Sequence, residues 1–268
     1  MPRTRSTDGL RFFNLSHRWG HNMPQWPSIG ATVLNINRMN YHAMHGFHVQ
    51  EFDGIMHRGT HMDAPAHVTE NWPYLDDFPL WRFFGTGVAV SIAKGKWGVV
   101  TPEDLERAEP GIRAGDIVMI NTGSHHNWGD NDDYFGYSPG FNRASGEWLA
   151  AKQVKLVGID VQSLDHVLGT KMVAHGTGPT HPHLMAEYKA ETGREAIEDF
   201  PDWEPAHKAM LGAGIPGIEN VGGDLDAVTG KRCTFVVFPW RLTNGDGCSV
   251  RVIAILDPEQ KFRIPTDA

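Results

Sequence analysis

The chain has 268 residues, of which 40% are hydrophobic and 21% charged, and its formal net charge is -8 at pH 7. No long uncharged apolar run predicts a membrane span, and the acidic balance without a basic cluster argues against a nucleic-acid partner. The segment from Met1 to Asp8 has no apolar core that could serve as a signal peptide, so we expect a cytoplasmic protein.

No repeat, low-complexity tract or linker divides the chain, which predicts one domain over residues 1–268 with residues 1–14 as an N-terminal extension. Five apolar runs predict strands, and three segments with start or stop signals predict helices. In chain order, the strands are Gly87 to Ala93, Asp116 to Asn121, Leu156 to Asp160, Cys233 to Pro239 and Val250 to Leu256, and the helices are Thr101 to Ala108, Asn142 to Lys152 and Pro205 to Leu211. A turn at Asn244 to Gly247 predicts a closing hairpin. The elements together predict an α/β domain with a mixed β-sheet core and flanking helices.

Three histidines and one carboxylate occur at even spacings within eleven residues: His57, His61, Asp63 and His67. Equal parity places all four on one face of an extended strand, whereas a helix would turn Asp63 away. Four residues of straight strand span roughly 13 Å, so we expect a bend at Gly59-Thr60, with Gly59 leaving open space for an ion. Imidazole nitrogen and carboxylate oxygen suit Zn²⁺ or Mn²⁺. The segment therefore predicts a divalent metal site that needs further ligands from elsewhere.

A predicted helix, a Gly/Pro-rich connection and a carboxylate follow one another between His207 and Glu219. Such a path can bring its two ends to one point. Taken alone, however, His207 is typical of a helix-surface histidine and Glu219 of a solvated acid.

The pattern H-x-G-T-H-x-D-x-P-x-H, present from His57 to His67 without a mismatch, resembles the metal-dependent hydrolases of the cyclase family, which includes bacterial kynurenine formamidase and isatin hydrolase. The resemblance extends to Gly158 through Asp165, to His207 through Asn220 and to Pro239 through Val252, and it covers most of the chain from about Leu15. It implies a swivelling β/β/α-like fold and hydrolase activity. It also implies that the metal ligands are His57, His61, Asp63, His207 and Glu219, with Asp63 able to bridge two ions. His67 matches the position of the catalytic acid/base.

The segment Pro24-Gln-Trp26-Pro27 resembles the part of the family that brings an aromatic side chain into the substrate pocket. Trp26 could equally anchor a Pro-rich loop against the core. Phe47 and neighbouring aromatics would recognise a flat or cyclic substrate. Two His-rich stretches are longer than expected from kynurenine formamidase, and their histidines are expected to line the pocket or lie at the surface: His42, His45, His48, His175, His181 and His183.

These features predict a metal-dependent hydrolase that opens a C-N bond of a cyclic or aryl-linked amide, with His67 as general acid and base. We expect a small-molecule substrate, one or two Zn or Mn ions per chain, and a homodimer or homotetramer. One alternative is a metal-dependent lactonase acting on a cyclic ester. Another is a non-catalytic metal- or ligand-binding protein on the same fold, which would not need His67 beside five possible ligands. A serine hydrolase is disfavoured, because Gly136-Tyr-Ser138-Pro-Gly140 lacks a preceding apolar strand.

Overall fold

A computed structural model describes residues 6–7, 9–27, 34–70 and 73–259. Within these ranges the strands are β1 (Ser6–Thr7), β2 (Leu10–Asn14), β3 (Asn35–Asn40), β4 (Val49–Asp53), β5 (His61–Asp63), β6 (Phe84–Ser91), β7 (Val99–Val100), β8 (Ile117–Asn121), β9 (Gly140–Phe141), β10 (Leu156–Ile159), β11 (Gly217–Glu219), β12 (Lys231–Val236), β13 (Gly247–Ser249) and β14 (Ile253–Leu256). The α-helices are α1 (His42–His45), α2 (Pro102–Glu106), α3 (Asp132–Phe135), α4 (Arg143–Ala151), α5 (His183–Thr192), α6 (Ala196–Asp199), α7 (Pro205–Gly212) and α8 (Leu225–Val228). None of these helices is long and apolar enough to cross a membrane.

Ten of the described strands form one mixed sheet in the order β1-β2-β14-β12-β6-β8-β10-β11-β5-β13. Strands β6, β8, β10 and β11 run parallel, and the other pairings in this sheet are antiparallel. Every residue of β8 and β10 is buried, as expected for parallel strands covered on both faces. Helices α4 and α7 contribute to the cluster on one face, and the opposite face forms a second cluster with β5, β12 and β14. The predicted α/β fold with a mixed sheet is confirmed.

The predicted elements occur where the sequence placed them, with local shifts in their ends. Strands β6, β8, β10, β12 and β14 match the five apolar runs, and helices α2, α4 and α7 match the three helical segments. Helix α2 begins after Thr101, whose side chain accepts a hydrogen bond from the Asp104 amide while Asp104 caps in return. Asn142 caps α4 in the same way. Local capping chemistry therefore sets these helix starts.

Two expectations about chain ends and turns are corrected. Residues 10–14, which were expected to belong to an N-terminal extension, form β2, which pairs with β14 and buries Phe13 in the core. Residues 1–5 and 8 lie outside the described part. The turn at Asn244 to Gly247 does not close a hairpin, since β12 before it pairs with β6 and β14 while β13 after it pairs with β5. Cys248 lies opposite Met62, and both are buried. This burial favours the pairing of β13 with β5 over the hairpin that the local turn predicts.

His166 is a buried, neutral histidine whose titration should weaken the fold in acid. Its ring stacks on Phe200 at 4.1 Å and its Nδ1 accepts a hydrogen bond from the Leu168 amide. Burial lowers the pKa of His166 to about 4, whereas an unfolded histidine titrates near 6.5. The folded state therefore loses stability as the pH falls from 6.5 towards 4, by an amount on the order of 3 kcal/mol.

His166→Asn, which keeps an acceptor for the Leu168 amide, should reduce this acid sensitivity. We expect the drop in unfolding free energy between pH 7.5 and pH 5 to be smaller in the variant than in the wild type, as measured by urea denaturation. An identical drop in both proteins would show that His166 is not the responsible group.

Candidate metal centre

The candidate metal centre is built on β5, which lies between β11 and β13. His61 is directly opposite Glu219 on β11, and Asp63 is opposite Gly247 on β13. Residues that face each other across antiparallel strands project from the same face of the sheet, so these side chains meet. Gly247 is required here, because a Cβ at that position would lie 2.3 Å from Cε1 of His57.

The chain bends at Gly59, as the sequence predicted. Gly59 has a φ of 53°, in the left-handed region, and Asn220 holds the turn by donating from Nδ2 to the Gly59 carbonyl at 2.9 Å. Thr60 donates from Oγ1 to the Asn220 carbonyl at 2.6 Å. The open space predicted above Gly59 is wrong: a Cβ there would lie 2.4 Å from Cε of Met23, so that side chain fills the volume. The glycine is needed for the turn and for packing of Met23.

The four residues of the motif converge, but they do not share one strand. Only His61 and Asp63 lie on β5, because a 3₁₀ turn over Pro65–His67 follows it directly. The ring of His57 lies 5.3 Å from that of His61 and 4.1 Å from that of His67. The bend before β5 and the turn after it therefore bring together the four side chains that were predicted to share one extended face.

Distances between donor atoms show that the five predicted ligands surround one volume. Nδ1 of His57 lies 2.6 Å from Oδ1 of Asp63, and Nε2 of His61 lies 3.4 Å from that oxygen and 3.4 Å from Oε2 of Glu219. Nε2 of His207 lies 3.1 Å from Oε1 of Glu219 and 3.6 Å from Oδ2 of Asp63. All are buried apart from His57, which is partly exposed.

The charges of this cluster call for a cation. Burial disfavours a charged His57, yet Asp63 and Asp246 raise the pKa of His57 to about 10. Burial also disfavours a charged His207, but the pKa of this histidine is held well above its usual value by Asp165, Asp63 and Glu219. Burial also opposes ionisation of Asp63, but His61 and His57 hold the pKa of its carboxyl well below the usual range. A divalent ion would supply the positive charge that the imidazoles otherwise gain from protons.

The residues present also fit an ion in their chemistry. Oδ1 of Asp63 is buried and makes no hydrogen bond to any described group, although Nδ1 of His57 is close to it. Imidazole nitrogen together with carboxylate oxygen is the donor set that suits Zn²⁺ or Mn²⁺. Two overlapping groups have donor atoms all within 4.8 Å of one another: His57, Asp63 and His67, and His61, Asp63 and Glu219.

Asp165 supports the centre without belonging to the predicted set. Its fully buried carboxylate accepts a hydrogen bond from Nδ1 of His207 at 2.5 Å, which points Nε2 of that ring at Glu219. It also accepts from the amides of Ala206 and His207 at 2.6 and 3.1 Å, at the start of α7. Asp165 thus fixes both the helix and the tautomer of its histidine.

Asp246 is a second group that sequence reasoning missed. Its Oδ2 accepts from Nε2 of His57 at 3.0 Å and from Nδ1 of His67 at 3.4 Å. These hydrogen bonds hold the pKa of Asp246 well below its usual range. Its position in a Gly-rich turn gave only a turn signal.

Asp165→Asn should weaken metal binding without removing a ligand. Removing a carboxylate that orients a ligating histidine costs about 10- to 100-fold in metal affinity. We expect a loss of this size in competition titrations with a chromophoric chelator. The matched control is Asp202→Asn, an exposed carboxylate paired with Arg143, which should bind metal like the wild type. Equal affinities for both variants would contradict the orienting role.

The two predicted substrate-binding aromatics lie in different places. Trp26 is partly buried and packs against the cluster that contains Tyr134. Phe47 is 52% exposed on the segment before β4 and contacts the ring of His45 at 6.3 Å. The ring contacts described for His57 and His67 involve only other histidines of the centre, so neither aromatic stacks on them.

Three exposed aromatic side chains flank the β13 side of the centre, and no sequence pattern predicts them. The ring of Phe52 contacts that of Trp19 at 5.1 Å and that of Trp240 at 5.9 Å. The Trp240 amide donates to Sγ of Cys248, beside the glycine on which His57 packs. These rings are candidates for contact with a flat substrate.

The remaining histidines and nucleophiles do not join the centre. His42, His45 and His48 are exposed, His175 hydrogen-bonds the Phe200 carbonyl, His181 bonds Thr180, and His183 pairs with Asp132. Ser138 is buried and donates to the Tyr134 carbonyl. Cys233 and Cys248 are free, buried thiols, and burial raises the pKa of Cys233 to about 12. None of these three side chains has the surroundings of an activated nucleophile.

Known proteins resemble this chain in sequence and in fold. Residues 13–166 match the family Cyclase, described as "Putative cyclase". A kynurenine formamidase of Bordetella petrii is 31% identical over 121 residues, which are 44% of this chain and 54% of that protein, so the chain spans about half the length of that relative. Isatin hydrolase A from Ralstonia solanacearum has the same fold, with a TM-score of 0.74 at 20% identity over 92% of each chain. Isatin hydrolase A from Labrenzia aggregata, bound to benzyl benzoate, gives 0.72 at 20% identity over 93% and 94% of the two chains.

Proposed function

Because the chain belongs to the cyclase family, we propose that it is a metal-dependent hydrolase that opens the C-N bond of a cyclic or aryl-linked amide. The observation that carries this proposal is the convergence of five buried or half-buried metal donors with His67 at their edge. A kynurenine formamidase and isatin hydrolases among the similar proteins support an amide as the substrate.

Five side chains would hold one or two Zn or Mn ions: His57, His61, Asp63, His207 and Glu219. Such an ion supplies a nucleophile at neutral pH and polarises the carbonyl to be attacked. The two oxygens of Asp63 face different partners, Oδ1 towards His57 and His61 and Oδ2 towards His207. This divided orientation fits a carboxylate that bridges two ions.

His67 would move the protons of the reaction. Its Nδ1 lies 3.4 Å from Oδ2 of Asp246 and would donate to it, which would leave Nε2 free for the substrate, and its side chain is 34% exposed. Nε2 would take a proton from the attacking water and then give it to the leaving nitrogen as the C-N bond breaks. Hydrolysis leaves a carboxylic acid and an amine, which stay on one molecule when the amide is cyclic. A histidine side chain suits this role because it can both accept and donate a proton near neutral pH.

The position of His67 also supports catalysis over simple binding. A His67 ring turned away from the ligands and hydrogen-bonded into the core would have favoured binding alone. Instead its ring lies 4.1 Å from that of His57 and 6.2 Å from that of His207, at the edge of the donor cluster. This placement favours a hydrolase over a non-catalytic metal-binding protein.

Activity on a substrate panel tests the proposal. We expect metal-dependent hydrolysis of formylkynurenine, isatin or a cyclic imide, followed by absorbance, with loss on chelation and recovery on adding Zn²⁺ or Mn²⁺. Turnover of lactones alone would show that the protein is a lactonase and not an amidohydrolase. Full activity in a metal-free preparation, or no turnover of any compound by the loaded protein, would overturn the proposed function.

We also propose that Trp26 and Phe47 lie near the bound substrate. A separate proposal is that the protein is a homodimer or homotetramer. Exposed apolar side chains along the β3-β4 hairpin support an interface there, among them Met39, Met44 and Val49 at 52%, 81% and 43% exposure. Met44→Glu should shift the oligomer towards monomer in light scattering. The control Ile197→Glu, on α6, should leave the mass unchanged, and an unchanged mass for both would contradict the hairpin interface.

A further inference from the structure

A second group of metal-ligating side chains lies outside the centre described above: His125, His126 and Asp226. The two histidines lie in the 3₁₀ turn Ser124–Asn127 that follows β8, and Asp226 lies in α8. Nε2 of His125 is 3.4 Å from Oδ1 of Asp226, and Nε2 of His126 is 3.2 Å from Oδ2. The two rings lie 4.1 Å apart. Two imidazole nitrogens therefore converge on one carboxylate.

His125 is buried, and one of its ring nitrogens lacks a hydrogen-bond partner. The residue is 7% exposed, and its Nε2 makes no hydrogen bond to any described group. Its Nδ1 donates to Oδ2 of Asp160 at 2.8 Å, so in a neutral ring Nε2 would be a bare acceptor that faces the Asp226 carboxylate. Two acceptors held this close need a proton or a cation between them.

The carboxylate behind His125 is fixed as in a metal site. Asp160 is fully buried and accepts from the amide and hydroxyl of Thr122 at 2.9 and 2.6 Å and from the Gly123 amide at 3.0 Å. It cannot turn away from His125 without losing these bonds. A carboxylate that fixes the tautomer and direction of a ligating histidine is a regular part of such sites, and the same arrangement joins Asp165 to His207.

Asp226 is held in place while remaining accessible. Its Oδ1 accepts from Nδ2 of Asn121 at 2.9 Å, which directs the carboxylate towards the histidines. The side chains of His126 and Asp226 are 61% and 58% exposed, so the group opens to solvent on one side. An ion could enter and keep water in its remaining positions.

We propose that His125, His126 and Asp226 form a second cation site that takes a borderline divalent ion of the Zn²⁺ class. Two imidazoles and one carboxylate favour such an ion over Ca²⁺ or Mg²⁺, which prefer oxygen ligands. The ion would tie the turn after β8 to α8. This site is independent of the proposed hydrolase activity, because it shares no ligand with the centre on β5.

The test counts ions in the full-length protein at a buffered free Zn²⁺ concentration, by elemental analysis after dialysis and by calorimetric titration. His126→Ala and Asp226→Asn should each bind one ion fewer per chain than the wild type, or bind that ion at least tenfold more weakly. The control His183→Ala removes an exposed histidine from a simple pair with Asp132 and should leave both values unchanged.

Thermal unfolding distinguishes loss of this cation site from a general loss of stability. Zn²⁺ should raise the unfolding temperature of the wild type more than that of Asp226→Asn, while the two proteins unfold alike in chelator. The same number of ions bound with the same affinity in the wild type and both variants would overturn the proposal. His125 would then face Asp226 simply as an imidazolium.

Discussion

Asp63→Asn is expected to lower kcat/KM by roughly 10³-fold and to remove at least one bound ion per chain. Its carboxylate is the shared partner of three histidines of the centre, two on Oδ1 and one on Oδ2. The amide keeps the shape of the side chain but not its charge. The cluster therefore loses the shared negative charge that would bind the cation. A loss of roughly 10³-fold in kcat/KM corresponds to about 4 kcal/mol, the scale of metal-assisted catalysis.

The experiment combines steady-state kinetics with elemental analysis of the same preparations. Asp132→Asn, which changes an exposed carboxylate paired with His183, is the matched control and should keep both activity and metal. Circular dichroism of the metal-free proteins checks that Asp63→Asn still folds. Wild-type activity together with wild-type metal content in this variant would remove Asp63 from the centre.

Local sequence patterns were sufficient to locate the motif, but not to describe its geometry. The spacing from His57 to His67 identified four residues that do converge, and the bend at Gly59 was foreseen. The even spacing of the four residues suggested one long strand, because spacing reflects only the alternation of side chains along an extended backbone. The actual strand has three residues, since the left-handed turn at Gly59 precedes it and Pro65 begins a 3₁₀ turn after it.

Residues that act through others escaped prediction because their partners are distant in sequence. Asp165 lies 42 residues from His207, and Asp246 lies 189 residues from His57. Asp165 has no local signal for its role, because it accepts from the start of α7 across 41 residues, and Asp246 carries only the signal of a turn acid. Only the packing of α7 against the strand ends, and the pairing of β13 with β5, gives them a role.

The second histidine group was missed for the same physical reason. His125 and His126 are adjacent in sequence, but Asp160 and Asp226 lie 35 and 101 residues beyond His125 along the chain, which is outside any local spacing rule. The parallel neighbours β8 and β10 end at the same edge of the sheet and bring Asp160 beside the turn after β8. Sheet topology, rather than motif, therefore creates that site.

His67→Gln is expected to lower kcat by about 10²- to 10⁴-fold while KM and metal content change little, because proton transfer is lost and the ligands remain. Asp246→Asn tests how His67 is positioned. The neutral amide still can accept from Nδ1 of His67 but no longer stabilises its protonated form, so kcat should fall less and the pH profile of kcat should shift. A His67→Gln enzyme that loses its metal, or that keeps wild-type kcat on the best substrate, would assign His67 to ligand binding or to neither role. Because Asp246 also accepts from the predicted ligand His57, metal content is measured in both variants, and a fall in kcat at full metal loading in His67→Gln distinguishes a proton carrier from a sixth ligand.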